Sequence, residues 1–278
     1  MTSAAKKLLF GTAGIPLSSD NNTTLSAIEF VSKLKLDCLE IEFVKGVKMG
    51  TDTAQKIKEA ASARHITLSA HAPYYINLNA EEEGRRLVSQ ERILATARIA
   101  ETCGARSVVF HCGYYGKSTP EQAYENIVKG LKEVSSILKS ERNKVVLRPE
   151  TMGRLSQFGS LEEIIQLCRD VDGLLPCLDF SHLYTRNGKA NSYLEFHRIL
   201  RKIEKKLGKR ALKNAHIHIS GAEFTKKGER RHINLKESDF RYDDWIQALK
   251  DFEVEGMVIC ESPNLEKDAL MLKKLFAE

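Results

Sequence analysis

Histidine and carboxylate side chains close a series of short apolar runs along this chain. The runs are Leu68-Ser69-Ala70-His71, Val108-Val109-Phe110-His111, Val146-Leu147-Arg148-Pro149-Glu150, Cys177-Leu178-Asp179, His216-Ile217-His218 and Val258-Ile259-Cys260-Glu261. From His71 to Glu261 the intervals between end residues are 40, 39, 29, 39 and 43 residues, one or two strand-plus-helix units each. Strands that finish in His, Asp or Glu at one rim can converge on cations. Mixed imidazole and carboxylate donors suit zinc, manganese or iron better than magnesium or calcium. A carboxylate can also bridge two ions, and a cluster of two or three activates water and clamps both the attacking and leaving oxygens of a phosphate ester. The same ligands serve a second chemistry, in which one divalent ion polarises a sugar while carboxylates move a proton.

Six of the 8 histidines, at 71, 111, 182, 216, 218 and 232, fall at expected strand ends or in the loops beyond them. His65 and His197 lie on helices or their ends and read as surface residues. Glu150, Asp179 and Glu261 end strands, where they would repel one another strongly without cations. His216 and His218 alternate along one strand, so both point into the same interior. His218 is nearer the rim and is the better ligand, with His216 a layer deeper as support. Asp179-Phe180-Ser181-His182 puts an acid on a strand and an imidazole on the loop just after it. Arg148, two residues before Glu150, is expected inside the barrel, paired with an acid such as Glu42.

The elements that must carry these groups alternate strand and helix along the whole chain. Strands are expected at 8–10, 38–43, before His71, before His111, before Glu150, before Asp179, at 215–219 and at 256–260. Helices are expected near 24–35, 51–64, 82–103, 119–140, 160–169, 193–207, 242–251 and 264–276. Helix starts are marked by Thr119-Pro120 and by the Ser160-Leu161-Glu162-Glu163 capping box, and a stop by Gly104. Eight parallel units close into a (β/α)8 TIM barrel, with the strand-end residues on its C-terminal face. A doubly wound open sheet would have no reason to set ligands after so many different strands.

The 278 residues, 42% of them hydrophobic, suffice for one domain over 1–278 with a sizeable core. No run approaches the roughly 18 apolar residues of a membrane span. Met1–Lys7 lacks the apolar segment of a signal peptide, which points to a cytoplasmic protein. The 6 cysteines are scattered without a CxxC pair and read as buried hydrophobes, Cys112 beside His111 being the one to watch. A net charge of +6 is compatible with a polyanionic partner without showing one. Nothing indicates a protein partner.

The stretches His71-Ala72-Pro73-Tyr74-Tyr75-Ile76-Asn77-Leu78, Glu150-Thr151-Met152-Gly153, Asp179-Phe180-Ser181-His182 and Cys260-Glu261-Ser262-Pro263 resemble the endonuclease IV family of the xylose-isomerase-like barrel group. The resemblance implies cleavage of double-stranded DNA at the phosphodiester 5′ to abasic sites, leaving a 3′-hydroxyl and a 5′-deoxyribose phosphate. It implies zinc, two or three ions, with manganese as an alternative. His71 and His111 would hold the first ion, with Glu150 bridging to a second completed by Asp179, His218 and Glu261. His182 and His232 would hold the third. Glu150 and Glu261 would be the catalytic carboxylates, and Tyr74 would sit beside the DNA at the abasic gap. The alternative in the same superfamily is a single-metal sugar isomerase or epimerase.

The chain departs from the family pattern in one place that matters. The family reads Asp-x-His before the last His, whereas this chain reads Glu229-Arg230-Arg231-His232. Either Glu229 reaches in from one residue earlier, or the third site is weak or absent. Arg230 and Arg231 would then be phosphate contacts beside the site, or a solvated basic loop.

Overall fold

A computed structural model of the chain describes residues 8–278; the reading of Met1–Lys7 lies outside the described residues. Strands β1 (Leu8–Ala13), β2 (Cys38–Glu42), β3 (Thr67–His71), β4 (Ser107–Phe110), β5 (Val146–Pro149), β6 (Cys177–Asp179), β7 (Ala215–Ile219) and β10 (Gly256–Cys260) pair in parallel, in the order β5-β4-β3-β2-β1-β10-β7-β6. The two ends of that order meet where Glu150 bridges Cys177 and the Thr151 N–H donates to the Cys177 carbonyl at 3.1 Å. This makes a nearly closed (β/α)8 barrel. Both faces of its strands are covered, which is why they read as nearly continuous apolar runs.

Helices α1 (Thr24–Lys33), α2 (Thr51–Ala63), α3 (Glu83–Thr102), α4 (Pro120–Ser140), α5 (Leu161–Asp170), α7 (Tyr193–Leu207), α9 (Tyr242–Asp251) and α10 (Glu266–Ala277) lie within about two residues of their expected limits. Local signals set those limits. Thr119 and Gln122, and likewise Ser160 and Glu163, exchange side-chain and backbone hydrogen bonds as capping boxes. Gly104 takes the left-handed conformation after α3, with φ 73°. Trp245, Phe10, Phe110, Phe158, Phe180 and Phe196 are the bulkiest apolar side chains of the core between strands and helices. No helix among the described residues is long and apolar enough to cross a membrane.

Two helices and a two-stranded hairpin were not foreseen. Helix α6 (Phe180–Asn187) starts directly at the end of β6, so His182 sits in its first turn and not on a loop. A three-residue strand running straight into a helix leaves no punctuation to read. The short helix α8 (Lys209–Lys213) follows Gly208. The basic stretch at 226–231 belongs to an antiparallel hairpin of β8 (Gly221–Thr225) and β9 (Gly228–Ile233), whose irregular register hides the alternation of a strand.

The expected Arg148–Glu42 pair does not form. Arg148 Nη1 donates to the Pro176 carbonyl at 3.1 Å, and Nη2 to the Asn214 carbonyl and Oδ1 at 3.0 and 2.9 Å. Those groups stand just before β6 and β7, at the foot of the barrel. Glu42 is at the opposite end, in register with His71.

Candidate metal centre

The C-terminal ends of the strands bring the expected groups to one mouth. Four sets of ligand atoms, each within 4.8 Å of one another, are found among the described residues, three of them built from the expected groups: His71, His111 and Glu150; Glu150, Asp179, His218 and Glu261; and Asp179, His182 and His232; the fourth, Cys177, His216 and His218, is fully buried. Glu150 is shared by the first two sets and Asp179 by the second and third. Glu150 Oε2 lies 3.2 Å from His71 Nε2 and 3.1 Å from His111 Nε2, while Oε1 lies 3.2 Å from His182 Nδ1. The cavity over the centre is about 320 Å3, with Tyr74, Tyr114, Met152 and Arg154 in its walls.

Local structure aims each ring. His71 Nδ1 is tied to the Ala72 carbonyl at 2.7 Å, leaving Nε2 for the centre. His182 Nδ1 is tied to the Thr151 carbonyl at 2.9 Å, which turns Nε2 toward the hairpin. His232 Nδ1 faces the Glu261 carbonyl at 3.3 Å. Such partners set which ring nitrogen is free to bind a cation. Asp179 divides its carboxylate: Oδ1 accepts the His182 N–H at 2.7 Å as the N-cap of α6, and Oδ2 is left for the centre. The spacing Asp-x-x-His is therefore a helix cap, which sets the imidazole one turn beyond the acid.

The hairpin resolves the departure at residues 229–232. Glu229 Oε2 lies 3.1 Å from His182 Nε2, and Oε1 lies 3.1 Å from His232 Nε2. In a regular strand, residues three apart face opposite ways. Here the register passes from Glu223 opposite Arg231 to Phe224 opposite Glu229, so Arg230 is the extra residue of a β-bulge. The bulge returns Glu229 and His232 to one face. The hairpin is held there by Gly228 (φ 94°), whose added Cβ would fall 2.2 Å from the Gly153 carbonyl, and by Gly153, whose added Cβ would fall 2.8 Å from Glu229 Cβ. Arg230 and Arg231 point to solvent, with side chains 71% and 65% exposed, and Arg231 forms a two-pronged bond to Glu223 at 2.7 and 2.9 Å. Tyr74 is exposed at the rim.

Sequence reasoning missed two acids. Glu42, weighed only as a partner for Arg148, lies in the cavity wall with Oε1 buried and unpartnered. Glu40 is fully buried one layer deeper, beside His216 and His218. Both sit in Cys38-Leu39-Glu40-Ile41-Glu42, where period-two acids inside an otherwise apolar strand were the available signal. Cys112 is buried and belongs to none of the ligand sets, His65 is exposed, and His197 packs on Phe252 at 4.8 Å.

Burial opposes charge throughout the centre, and neighbours decide each outcome. At Glu150 the His111, His182 and His218 contacts outweigh burial and hold the carboxyl well below its usual range. At Glu229 the bonds from His182 and His232 do the same. Burial prevails at Asp179, raised to about 6, and at Glu42, raised to about 8. His71 is pushed up to about 10 against burial by Glu150 and Glu42, and His232 to about 9 by Glu229 and Glu261. Protons on these rings stand where cations would otherwise neutralise the acids. Asp179 Oδ2 and His218 Nδ1 are buried in the middle of the cluster without an aligned hydrogen bond. Orphaned atoms in a His/carboxylate donor set fit divalent ions.

The sequence pattern of the family described as xylose isomerase-like TIM barrel matches residues 28–275. An uncharacterized protein of Methanocaldococcus jannaschii is 47% identical over 98% of this chain and 97% of its own length. A probable endonuclease 4 of Aquifex aeolicus is 27% identical over 74% of this chain and 73% of its own. Among solved structures, a D-tagatose 3-epimerase-like protein superposes with a TM-score of 0.74 at 18% identity, covering 97% of this chain and 96% of its own. Endonuclease IV from Thermus thermophilus superposes with a TM-score of 0.70 at 21% identity, covering 96% and 97%. At such identities the two structures share the fold alone. The barrel, the strand-end ligand sets and the match over most of its length make this chain a member of the xylose isomerase-like TIM barrel family.

Proposed function

We propose that this protein is a metal-dependent DNA-repair endonuclease that hydrolyses the phosphodiester 5′ to abasic sites in double-stranded DNA, with zinc or manganese. The observation that carries this reading is the third ligand set. A sugar enzyme working through one ion has no use for His182, Glu229 and His232 beside a complete set at Glu150, Asp179, His218 and Glu261. Ions held by the three sets would polarise the scissile phosphate and stabilise the charge that builds on its oxygens.

The chain's own groups do the rest. Glu150, with Oε2 on His71 and Oε1 facing His218 Nδ1 at 3.5 Å, joins the first and second sets. Glu261, with a side chain 16% exposed against 1% for Glu150, is the carboxylate placed to orient the incoming water and take its proton. Tyr74 at the rim offers an aromatic face to the gap left by the missing base. Arg230 and Arg231, exposed on the hairpin and both paired with Glu223, supply cations for backbone phosphates where a phosphate displaces that carboxylate. Protein loaded with zinc or manganese should nick a duplex carrying one tetrahydrofuran residue and leave a 3′-hydroxyl. Folded protein that leaves the duplex intact under every divalent metal would refute this function.

Glu42 favours a second reading, a sugar isomerase or epimerase. A buried carboxyl with an unpartnered oxygen in the cavity wall suits a sugar hydroxyl better than a phosphate. Two or three ions per chain support the nuclease; one ion, with turnover of a ketose, supports the epimerase.

A further inference from the structure

One layer beneath the ligand sets lies a polar cluster that the proposed chemistry does not touch. Glu40 of β2 is 0% exposed. Ser69 Oγ donates to its Oε2 at 2.7 Å, His216 Nε2 lies 2.9 Å from Oε2, and His218 Nε2 lies 2.8 Å from Oε1. The far side of His216 meets Ser107 Oγ at 3.1 Å. The imidazole contacts are short but off the axis of an ideal hydrogen bond, so charge holds these groups as much as alignment does. A carboxylate this deep is costly unless it is paired, and barrel interiors are ordinarily filled by branched aliphatic side chains. A paired carboxylate in that layer calls for a role.

His218 joins the two layers. Its Nε2 faces down onto Glu40, and its Nδ1 faces up, 3.4 Å from Glu261 Oε1 and 3.5 Å from Glu150 Oε1. We propose that Glu40 is a positioning residue for the centre: it keeps the proton of His218 on Nε2 and so presents the bare Nδ1 to a cation shared with Glu150, Asp179 and Glu261. Ser69 and His216 fix the other carboxylate oxygen and stop Glu40 from turning away. Among the described residues Glu40 pairs with His218 and His216 and with neither His71 nor His111, so its loss bears most directly on the set that holds His218. The inference rests on the reading that the mouth binds cations, and is independent of which reaction follows.

The test is zinc binding by chelator-stripped protein, followed by competition with a chromophoric chelator and by long-range proton–nitrogen NMR of the His218 ring. Removing a carboxylate that backs a metal-binding histidine costs about 10–100-fold in metal affinity. Glu40→Gln should weaken one class of zinc site by that factor and leave the His71–His111 class unchanged. The NMR should show Nε2–H with zinc on Nδ1 in the native protein and mixed tautomers in the variant. A folded Glu40→Gln protein with native affinity at every site, or one weakened equally at all, overturns the proposal. Should that variant not fold, Ser69→Ala removes only the 2.7 Å bond to Glu40 and should weaken the same class by about fivefold; unchanged affinity there overturns it as well. Native protein that binds zinc but cuts no DNA would refute the nuclease and leave Glu40 in this role.

Discussion

Replacing Glu229 by Gln, set beside replacing Arg230 by Asp, tests the reading of the bulged hairpin. Glu229 lies between His182 and His232, 3.1 Å from each. Four-ligand structural zinc sites bind with about 10–16 kcal/mol, so one ligand is worth about 2.5–4 kcal/mol, or about two to three orders of magnitude in affinity. Glu229→Gln should therefore empty the third set at zinc concentrations that leave the other two filled. Arg230→Asp should add no ion, because residue 230 is the extra residue of the bulge and its side chain is 71% exposed. Deleting Arg230 should be tolerated, since Glu229 and His232 then fall two residues apart on a regular strand and still share a face. Zinc counted by elemental analysis after dialysis against a graded chelator, with thermal melting as a check of folding, reads all three. A gain of one ion in Arg230→Asp, or full occupancy in Glu229→Gln, would refute the assignment.

Zinc uptake at pH 7 should release at least two protons, because His71 (about 10) and His232 (about 9) are both protonated in the cation-free protein and must deprotonate to bind. Calorimetry in buffers of different ionisation enthalpy counts them, and a proton-neutral titration would contradict the placement. The same shifts set a pH dependence. Both values are raised above the unfolded value of about 6.5. Their stabilisation of the metal-free fold is complete below pH 6.5 and is lost as pH rises through 9 to 10, so melting of stripped protein should fall over that interval while zinc-loaded protein resists it. Glu150→Gln and Glu261→Gln should each abolish turnover while the fold survives, shown by a native circular dichroism spectrum; substantial residual nicking by either would remove it from the catalytic pair. Gly153→Ala should cost about 1–3 kcal/mol in denaturant unfolding and loosen the third set, since its Cβ would press within 2.7 Å of Thr185 Oγ1 and 2.8 Å of Glu229 Cβ. An unperturbed third set there would show that the hairpin is placed by other contacts.

What the residue pattern carried was whatever depends on neighbours along the chain. Strand ends, capping boxes and the glycine stop after α3 are local, so the barrel and the common rim of His71, His111, Glu150, Asp179, His218 and Glu261 followed from apolar runs and their spacing. Three-dimensional closure decided the rest. Whether Glu229 could serve turned on a bulge at Arg230, a matter of pairing between two strands that no periodicity records. Arg148 ran down the barrel because the free carbonyls of Pro176 and Asn214 lie there, and those come close only once β5, β6 and β7 are side by side. Glu40 was passed over and Glu42 read only as a partner for Arg148 for the same reason: acids at period two in an apolar strand mark an interior position, but their partners are set only when the strands across the barrel bring imidazoles against them.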